Sequence, residues 1–248
     1  MVMGLGGFGG IDLFQVGLLL AGLVLTLAPQ WWVQRTVSQF HGLRTQRQQT
    51  GAEVATSILR ENGIYDVKVE ESHGFLSDHY DPSARTVRLS ADNYHGASVS
   101  AIAIAAHEVG HAIQHARGYF PVVARGALFP VVSITSMAGP WLIMGGFLLM
   151  AASGMKVLGN LVAWLGVIFY GGSTLFHLVT LPVEIDASSR AIKVLETKYY
   201  LTSTEVSGAK KVLIAAALTY MAAALYSLME LAYYVMRLLA SSQNRQEE

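Results

Sequence analysis

"AIAIAAHEVGHAIQH", residues 101–115, places ionisable side chains within a run of small apolar residues that is typical of a buried helix. Its His-Glu-x-x-His spacing puts His107 and His111 one turn apart on the same helix face. Both imidazoles can then reach one metal ion, and Glu108 can reach a water bound to that ion. Burying these groups without partners would cost on the order of 2–3 kcal/mol each, which favours a metal site over satisfied core histidines.

The composition indicates a membrane protein. Of 248 residues, 52% are hydrophobic and 14% are charged, and the mean hydropathy is +0.41. A soluble domain carries about a quarter charged residues. The net charge is zero, so the chain lacks the excess of positive charge that is typical of nucleic-acid-binding proteins, and no nucleic-acid partner is expected. Cysteine is absent, which excludes disulfides, zinc–thiolate sites and thiol nucleophiles.

Four segments are long and apolar enough to cross a bilayer, which takes about 20 helical residues. They are residues 11–28, 128–152, 157–180 and 212–236. The middle two form a predicted transmembrane hairpin, 128–180. The first segment lacks the basic residues that precede a cleaved signal peptide, so an uncleaved anchor is predicted. Helices of soluble proteins seldom run this long without a charged residue. The predicted fold is therefore mainly α, with about four transmembrane helices.

The basic residues predict the topology. All of the 17 Lys and Arg residues except Lys156, Arg237 and Arg245 lie in residues 29–127 and 181–211. The positive-inside rule therefore places these two segments in the cytoplasm and both termini outside.

Residues 29–127 have the composition of a small cytoplasmic α+β element. Thr50 and Glu53 have capping-box spacing and begin a helix that ends near Gly63. "DVKVE" and "ARTVRLS" alternate like strands and predict one or two short hairpins. Ser98 is the expected N-cap of the His-Glu-x-x-His helix. "TVRLS" is interpreted either as a core strand or as an exposed edge that binds an extended peptide.

A catalytic zinc ion needs a third protein ligand from the same side of the membrane. His115 lies about 12 Å from His107 along a straight helix, at ~1.5 Å per residue, so the two histidines cannot share an ion with His111. "LPVEIDASSRA" offers Glu184, at the start of a predicted new helix after Pro182. Two spans separate it from His111, so it emerges on the required side, and Asp186 is the competing carboxylate.

Three motifs in order resemble one known family. "DHYDPSARTVRLS", "AAHEVGHAIQH" and "LPVEIDASSRA", with the long uncharged hairpin, are similar to the YugP-type bacterial membrane zinc metallopeptidases. That family belongs to the gluzincins, with the CAAX-processing and HtpX-like membrane proteases. The resemblance implies a protein of the bacterial plasma membrane with a cytoplasmic zincin-like element, and one Zn²⁺ on His107, His111 and Glu184. HtpX-like relatives carry an aspartate four residues after the ligand glutamate, where this chain has Ser188.

The predicted reaction is hydrolysis of peptide bonds in a protein or peptide substrate. Zinc would lower the pKa of its bound water toward ~7 and polarise the carbonyl, and Glu108 would act as base and then as acid. An oxyanion donor is also expected. Its candidates are Tyr199, Tyr200, Arg190 and His115.

Two other functions compete with the peptidase. A membrane adaptor or assembly factor would hold a structural zinc with a fourth protein ligand. A transporter would use His177 and Glu230 as an ion path, but few intramembrane polar groups are available for one. His177 is interpreted as an interhelical or interfacial residue or as a partner of the site. Glu230 should find a partner or stay protonated, with a structural role.

Overall fold

The computed structural model describes residues 13–74, 77–152 and 154–243. The chain divides into two compact units. The mixed unit consists of Ala28–Ala124 and Thr180–Tyr220. The helical unit contains Arg125–Val179 together with the described residues up to Leu27 and from Met221 onward.

Four helices in the described part of the chain are long and apolar enough to cross a membrane. They are α1 (Leu13–His41), α5 (Phe120–Ala151), α6 (Lys156–Thr197) and α7 (Ser203–Gln243). The architecture is therefore that of a mainly α membrane protein. The first predicted span begins at residue 11, and residues 11 and 12 lie outside the described ranges.

The shorter elements all belong to the mixed unit. They are α2 (Gly51–Glu61), β1 (Lys68–Ser72), β2 (His79–Asp81), β3 (Thr86–Ser90), α3 (Ala91–Tyr94) and α4 (Val99–Ala116). The predicted capping box of α2 is confirmed, since Thr50 and Glu53 exchange side chain-to-backbone hydrogen bonds of 2.8 and 3.2 Å. Ser98 caps α4 as predicted, and its Oγ accepts a hydrogen bond from the Ala101 amide at 3.2 Å.

The sheet has the order β1-β3-β2 and contains one short hairpin, within the predicted one or two. β1 and β3 run parallel, with Lys68 opposite Thr86, so they form no hairpin. The segment between them supplies β2, which pairs antiparallel with β3 and makes one hairpin. β3, the "TVRLS" segment, is thus the central strand, and its Val87 and Leu89 are fully buried. The core-strand interpretation is confirmed, and the edge-strand interpretation is wrong because β3 is paired on both sides.

The predicted break at Pro182 is also wrong, because α6 runs uninterrupted from Lys156 to Thr197. Proline removes one backbone hydrogen bond and favours a kink. Tertiary packing holds the helix across that position, because Val183, Ala187 and Ala191 beyond it are all at most 1% exposed. Glu184 is therefore carried on the same helix as the third span.

The predicted hairpin of the helical unit packs through glycines spaced seven residues apart on each helix, Gly139 and Gly146 on α5 and Gly159 and Gly166 on α6. Gly146 of α5 lies so close to Ala163 of α6 that an added Cβ would be 2.5 Å from the Ala163 amide nitrogen. Gly166 lies similarly close to Ile143. Small residues allow membrane helices to approach closely and gain dispersion contacts where no hydrophobic effect acts.

Glu230 has a partner, as expected for a carboxylate in an apolar span. The Tyr170 hydroxyl donates a 2.5 Å hydrogen bond to one carboxylate oxygen. The Tyr234 hydroxyl lies 3.5 Å from the other oxygen. The first of these contacts joins α6 to α7 within the helical unit and fits the structural role expected for Glu230.

Gly146→Ala should lower the free energy of unfolding by about 1–3 kcal/mol, because the new methyl group would overlap the α6 backbone. Gly145→Ala is the matched control, since no atom lies within 4 Å of the added Cβ there. Thermal unfolding of the purified protein in one detergent would compare them. Equal melting temperatures for the two variants would contradict the proposed glycine contact.

Candidate metal centre

The centre begins with α4, which passes through the core of the mixed unit. Ile102, Ala106 and Val109 are at most 1% exposed and pack in that core. Gly110 faces α6, and an added Cβ would lie 2.7 Å from the Ala187 carbonyl oxygen. The absence of a side chain at Gly110 therefore lets the two helices approach closely enough for their polar side chains to meet.

Three predicted residues meet where α4 and α6 are in contact. Nε2 of His107 lies 3.3 Å from Oε2 of Glu184, and Nε2 of His111 lies 3.5 Å from the same oxygen. One ligand atom from each residue lies within 4.8 Å of the other two. Two imidazole nitrogens and one carboxylate oxygen are a donor set that catalytic zinc uses. The chemistry of these residues therefore fits a zinc ion.

Gln114 orients the imidazole of His111. Gln114 is fully buried, and its Nε2 donates hydrogen bonds of 2.8 Å to the Val183 carbonyl and the Asp186 carboxylate. Both partners can only accept, so Oε1 of Gln114 must face Nδ1 of His111, 3.0 Å away. Nδ1 then carries a proton, and Nε2 is the nitrogen directed at Glu184.

Ser188 is the corresponding partner of His107. Its hydroxyl lies 3.1 Å from Nδ1 of His107, so it can fix the orientation of the second ring. Ser188 occupies the position where HtpX-like proteases carry an aspartate. Asp186, the competing carboxylate, instead accepts hydrogen bonds from Gln114 and from Nε of Arg190, the latter at 2.6 Å. Asp186 therefore stabilises the centre indirectly, through its hydrogen bond with Gln114, the partner of His111.

The charges of the centre stabilise one another. Burial alone would raise the pKa of Glu184, which is 3% exposed, but hydrogen bonds from His107 and His111 hold it well below its ordinary value. Burial alone would lower the pKa of His111, but the hydrogen bond to Glu184 and the charge of Glu108 raise it. Positive charge is thus favoured between the imidazoles and the carboxylate, as a bound cation requires.

Glu108 lies beside this group and faces a cavity. It is 8% exposed and, with His107, lines a cavity of about 250 Å³. Because it follows His107 directly on α4, its carboxylate points around the helix from the two imidazoles.

Other candidates lie elsewhere. His115 is exposed, and its ring centroid lies 6.0 Å from that of Tyr80 rather than within the ligand group. The hydroxyl of Tyr200 donates a 2.8 Å hydrogen bond to Glu61, and Tyr199 is 75% exposed. His177 belongs to the helical unit.

Sequence reasoning missed Gln114, and it identified Ser188 only as the residue that stands in place of an aspartate, without a role. The spacings could have indicated their contacts, because Gln114 lies three residues after His111 and Ser188 four residues after Glu184, on the helix faces that carry those ligands.

Comparison with known proteins gives two matches. A family model described as "Putative neutral zinc metallopeptidase" matches residues 15–239. The chain is 45% identical over 219 residues to "Putative membrane protease YugP" of Bacillus subtilis strain 168, covering 88% of this chain and 94% of that protein. No solved structure matches the chain.

Glu184→Ala should weaken zinc binding more than His115→Ala, because Glu184 contacts both imidazoles and His115 contacts neither. The loss should exceed the roughly 10–100-fold typical of outer-shell changes. Competition with a chromophoric chelator on the purified protein measures this affinity. A larger loss in His115→Ala would rule out Glu184 as the third ligand.

Gln114→Leu should reduce zinc affinity by about 10–100-fold, because His111 would lose the acceptor that fixes its tautomer. The same chelator titration gives the value, with His115→Ala again as the control. Unchanged affinity in Gln114→Leu, with the fold intact by circular dichroism, would show that Gln114 does not orient the ring.

Proposed function

The chain belongs to this neutral zinc metallopeptidase family, and from that premise we propose that it is an integral-membrane endopeptidase of the gluzincin type. It would hydrolyse peptide bonds of protein substrates at the cytoplasmic face of a bacterial plasma membrane. The observation that carries the proposal is the convergence of His107, His111 and Glu184 beside a cavity that Glu108 also lines.

His107, His111 and Glu184 would hold one Zn²⁺ per chain. Bound there, zinc supplies Lewis-acid polarisation of the scissile carbonyl and acidifies a water molecule. Gln114 and Ser188 hold the two rings so that Nε2 of each is directed toward the Glu184 carboxylate. Asp186 keeps Gln114 in its orientation, and Arg190 balances the charge of Asp186.

Glu108 would move the proton. Its carboxylate accepts the proton of the attacking water and then donates it to the nitrogen of the leaving amine, so the bond between carbonyl carbon and nitrogen breaks without a charged amide leaving group. Its position in the wall of the cavity gives the carboxylate access to a substrate. Its low exposure keeps bulk water from competing for the proton.

The number of ligands favours catalysis over a structural metal. Among the described residues, the group that can hold the ion contains three His or carboxylate side chains. A structural zinc site uses four protein ligands, whereas a catalytic site uses three and leaves one position for water. The adaptor hypothesis is therefore the weaker one.

The cytoplasmic placement rests on the distribution of basic residues. In the proposed topology, residues 29–127 and 181–211 face the cytoplasm and both termini face outward. The mixed unit, which contains the candidate centre, consists almost entirely of these two segments.

Glu108→Gln should keep zinc but lose hydrolysis by at least about 100-fold, since an amide cannot accept the proton of the water. Quantitative proteomics would compare cells that express either form and identify membrane proteins whose fragments disappear in the variant. Zinc content, measured on the same preparations, controls for loss of the metal. Equal cleavage by both forms would exclude Glu108 as the base.

A further inference from the structure

The cavity beside Glu108 is enclosed mainly by two of the long apolar helices. Its volume is about 250 Å³, and it lies within the mixed unit. α1 contributes Val33 and Val37, and α7 contributes a longer wall. The α7 residues that line it are Val212, Leu213, Ala216, Thr219 and Tyr220.

These lining residues form one continuous face on each helix. Val33 and Val37 are four residues apart, and so are Val212 and Ala216, which is the spacing of a single helix face. Ile104, one turn before Glu108 on α4, adds a further apolar group. The walls that α1 and α7 contribute are therefore mainly apolar, with Gln30, Thr219 and Tyr220 as their polar members.

The carboxylate of Asp78 also lines the cavity, but the protein supplies its hydrogen-bond partners. It accepts hydrogen bonds from the Ser90 amide at 2.8 Å and from Nδ2 of Asn93 at 2.9 Å. The Ser90 hydroxyl lies 3.1 Å from the same carboxylate. Asp78 thus links the residue before β2 to the end of β3, and the mainly apolar walls from α1 and α7 determine what the cavity accepts.

We propose that this cavity is a specificity pocket that holds one large apolar side chain of the substrate, next to the bond that Glu108 acts on. This inference rests on the proposed peptidase function. An apolar cavity of about 150 Å³ can hold a benzene molecule, so about 250 Å³ accommodates a leucine, methionine or phenylalanine side chain. Burying such a side chain favours the apolar residue over a polar one by about tenfold or more, enough to select it.

The position of the pocket also defines the class of substrate. Trp31 and Trp32, next to the lining residue Gln30, are 61% and 54% exposed, and the Arg35 guanidinium lies 5.2 Å from the Trp31 ring centroid. Exposed tryptophan beside arginine is typical of a helix where it leaves the bilayer. The substrate is therefore a segment presented at the membrane surface, with an apolar side chain at the cleavage site.

Cleavage preference tests the pocket. Peptides that differ at one position (Leu, Phe, Ser or Lys), tethered by an acyl chain to vesicles that contain the zinc-loaded protein, should be cut beside Leu and Phe at least about tenfold faster. Ala216→Leu fills the pocket and should abolish this preference, whereas Val33→Ala enlarges it and should shift the preference toward Phe. Ala217→Leu is the matched control, because Ala217 is the next residue of α7 and does not belong to the cavity wall. An unchanged preference in Ala216→Leu, or a preference for Lys in the parent, would overturn the proposal.

A second measurement does not depend on activity. Because the chain has no cysteine, Ala216→Cys introduces a single thiol into the pocket. The Leu peptide should slow maleimide labelling of that thiol severalfold relative to the Ser peptide, and it should not slow labelling in Ala217→Cys. Protection without cleavage supports the pocket and contradicts the peptidase function. Cleavage with equal labelling in both peptides contradicts the pocket, as does protection by vesicles alone, which would indicate a lipid chain.

Discussion

The close contact between α4 and α6 is the constraint on which the candidate centre depends. Gly110 lets the helix backbones meet at Ala187, and Glu184, His107 and His111 then converge on one point. A buried carboxylate is costly unless positive charge or hydrogen bonds compensate it. The imidazoles provide that compensation, so the packing of two helices and the electrostatics of the centre stabilise each other.

The residues that orient the candidate metal ligands lie on the same two helices. Gln114 of α4 donates hydrogen bonds to Val183 and Asp186 of α6, while Ser188 of α6 contacts His107 of α4. Residues of α6 therefore orient two residues of α4, the ligand His107 and Gln114, which is the hydrogen-bond partner of His111. Rigid secondary structure, rather than loops, determines the geometry, which suits a centre that must hold its ligands within a fraction of an ångström.

Membrane attachment and chemistry share structural elements in this chain. α6 carries Glu184 on the continuation of an apolar segment, and α1 and α7 carry the mainly apolar walls of the cavity near Glu108. Helices that are long and apolar enough to cross a bilayer thereby also provide an apolar surface beside the candidate catalytic residue. This explains how a mixed unit with only a three-stranded sheet among its described residues can enclose a cavity.

The sequence by itself determined the four apolar helices, the capped helix α2 and the motif helix α4, because these depend on local periodicity, capping and length. It also indicated Glu184, through the order of spans and the family resemblance. Only the tertiary structure decided that β1 and β3 run parallel, that α6 continues through Pro182, that Ser188 contacts His107, and that Gln114 donates hydrogen bonds to Val183 and Asp186. Strand order and side-chain partners depend on contacts between residues distant in sequence, up to 81 apart for Ser188 and His107, and local patterns contain no record of them.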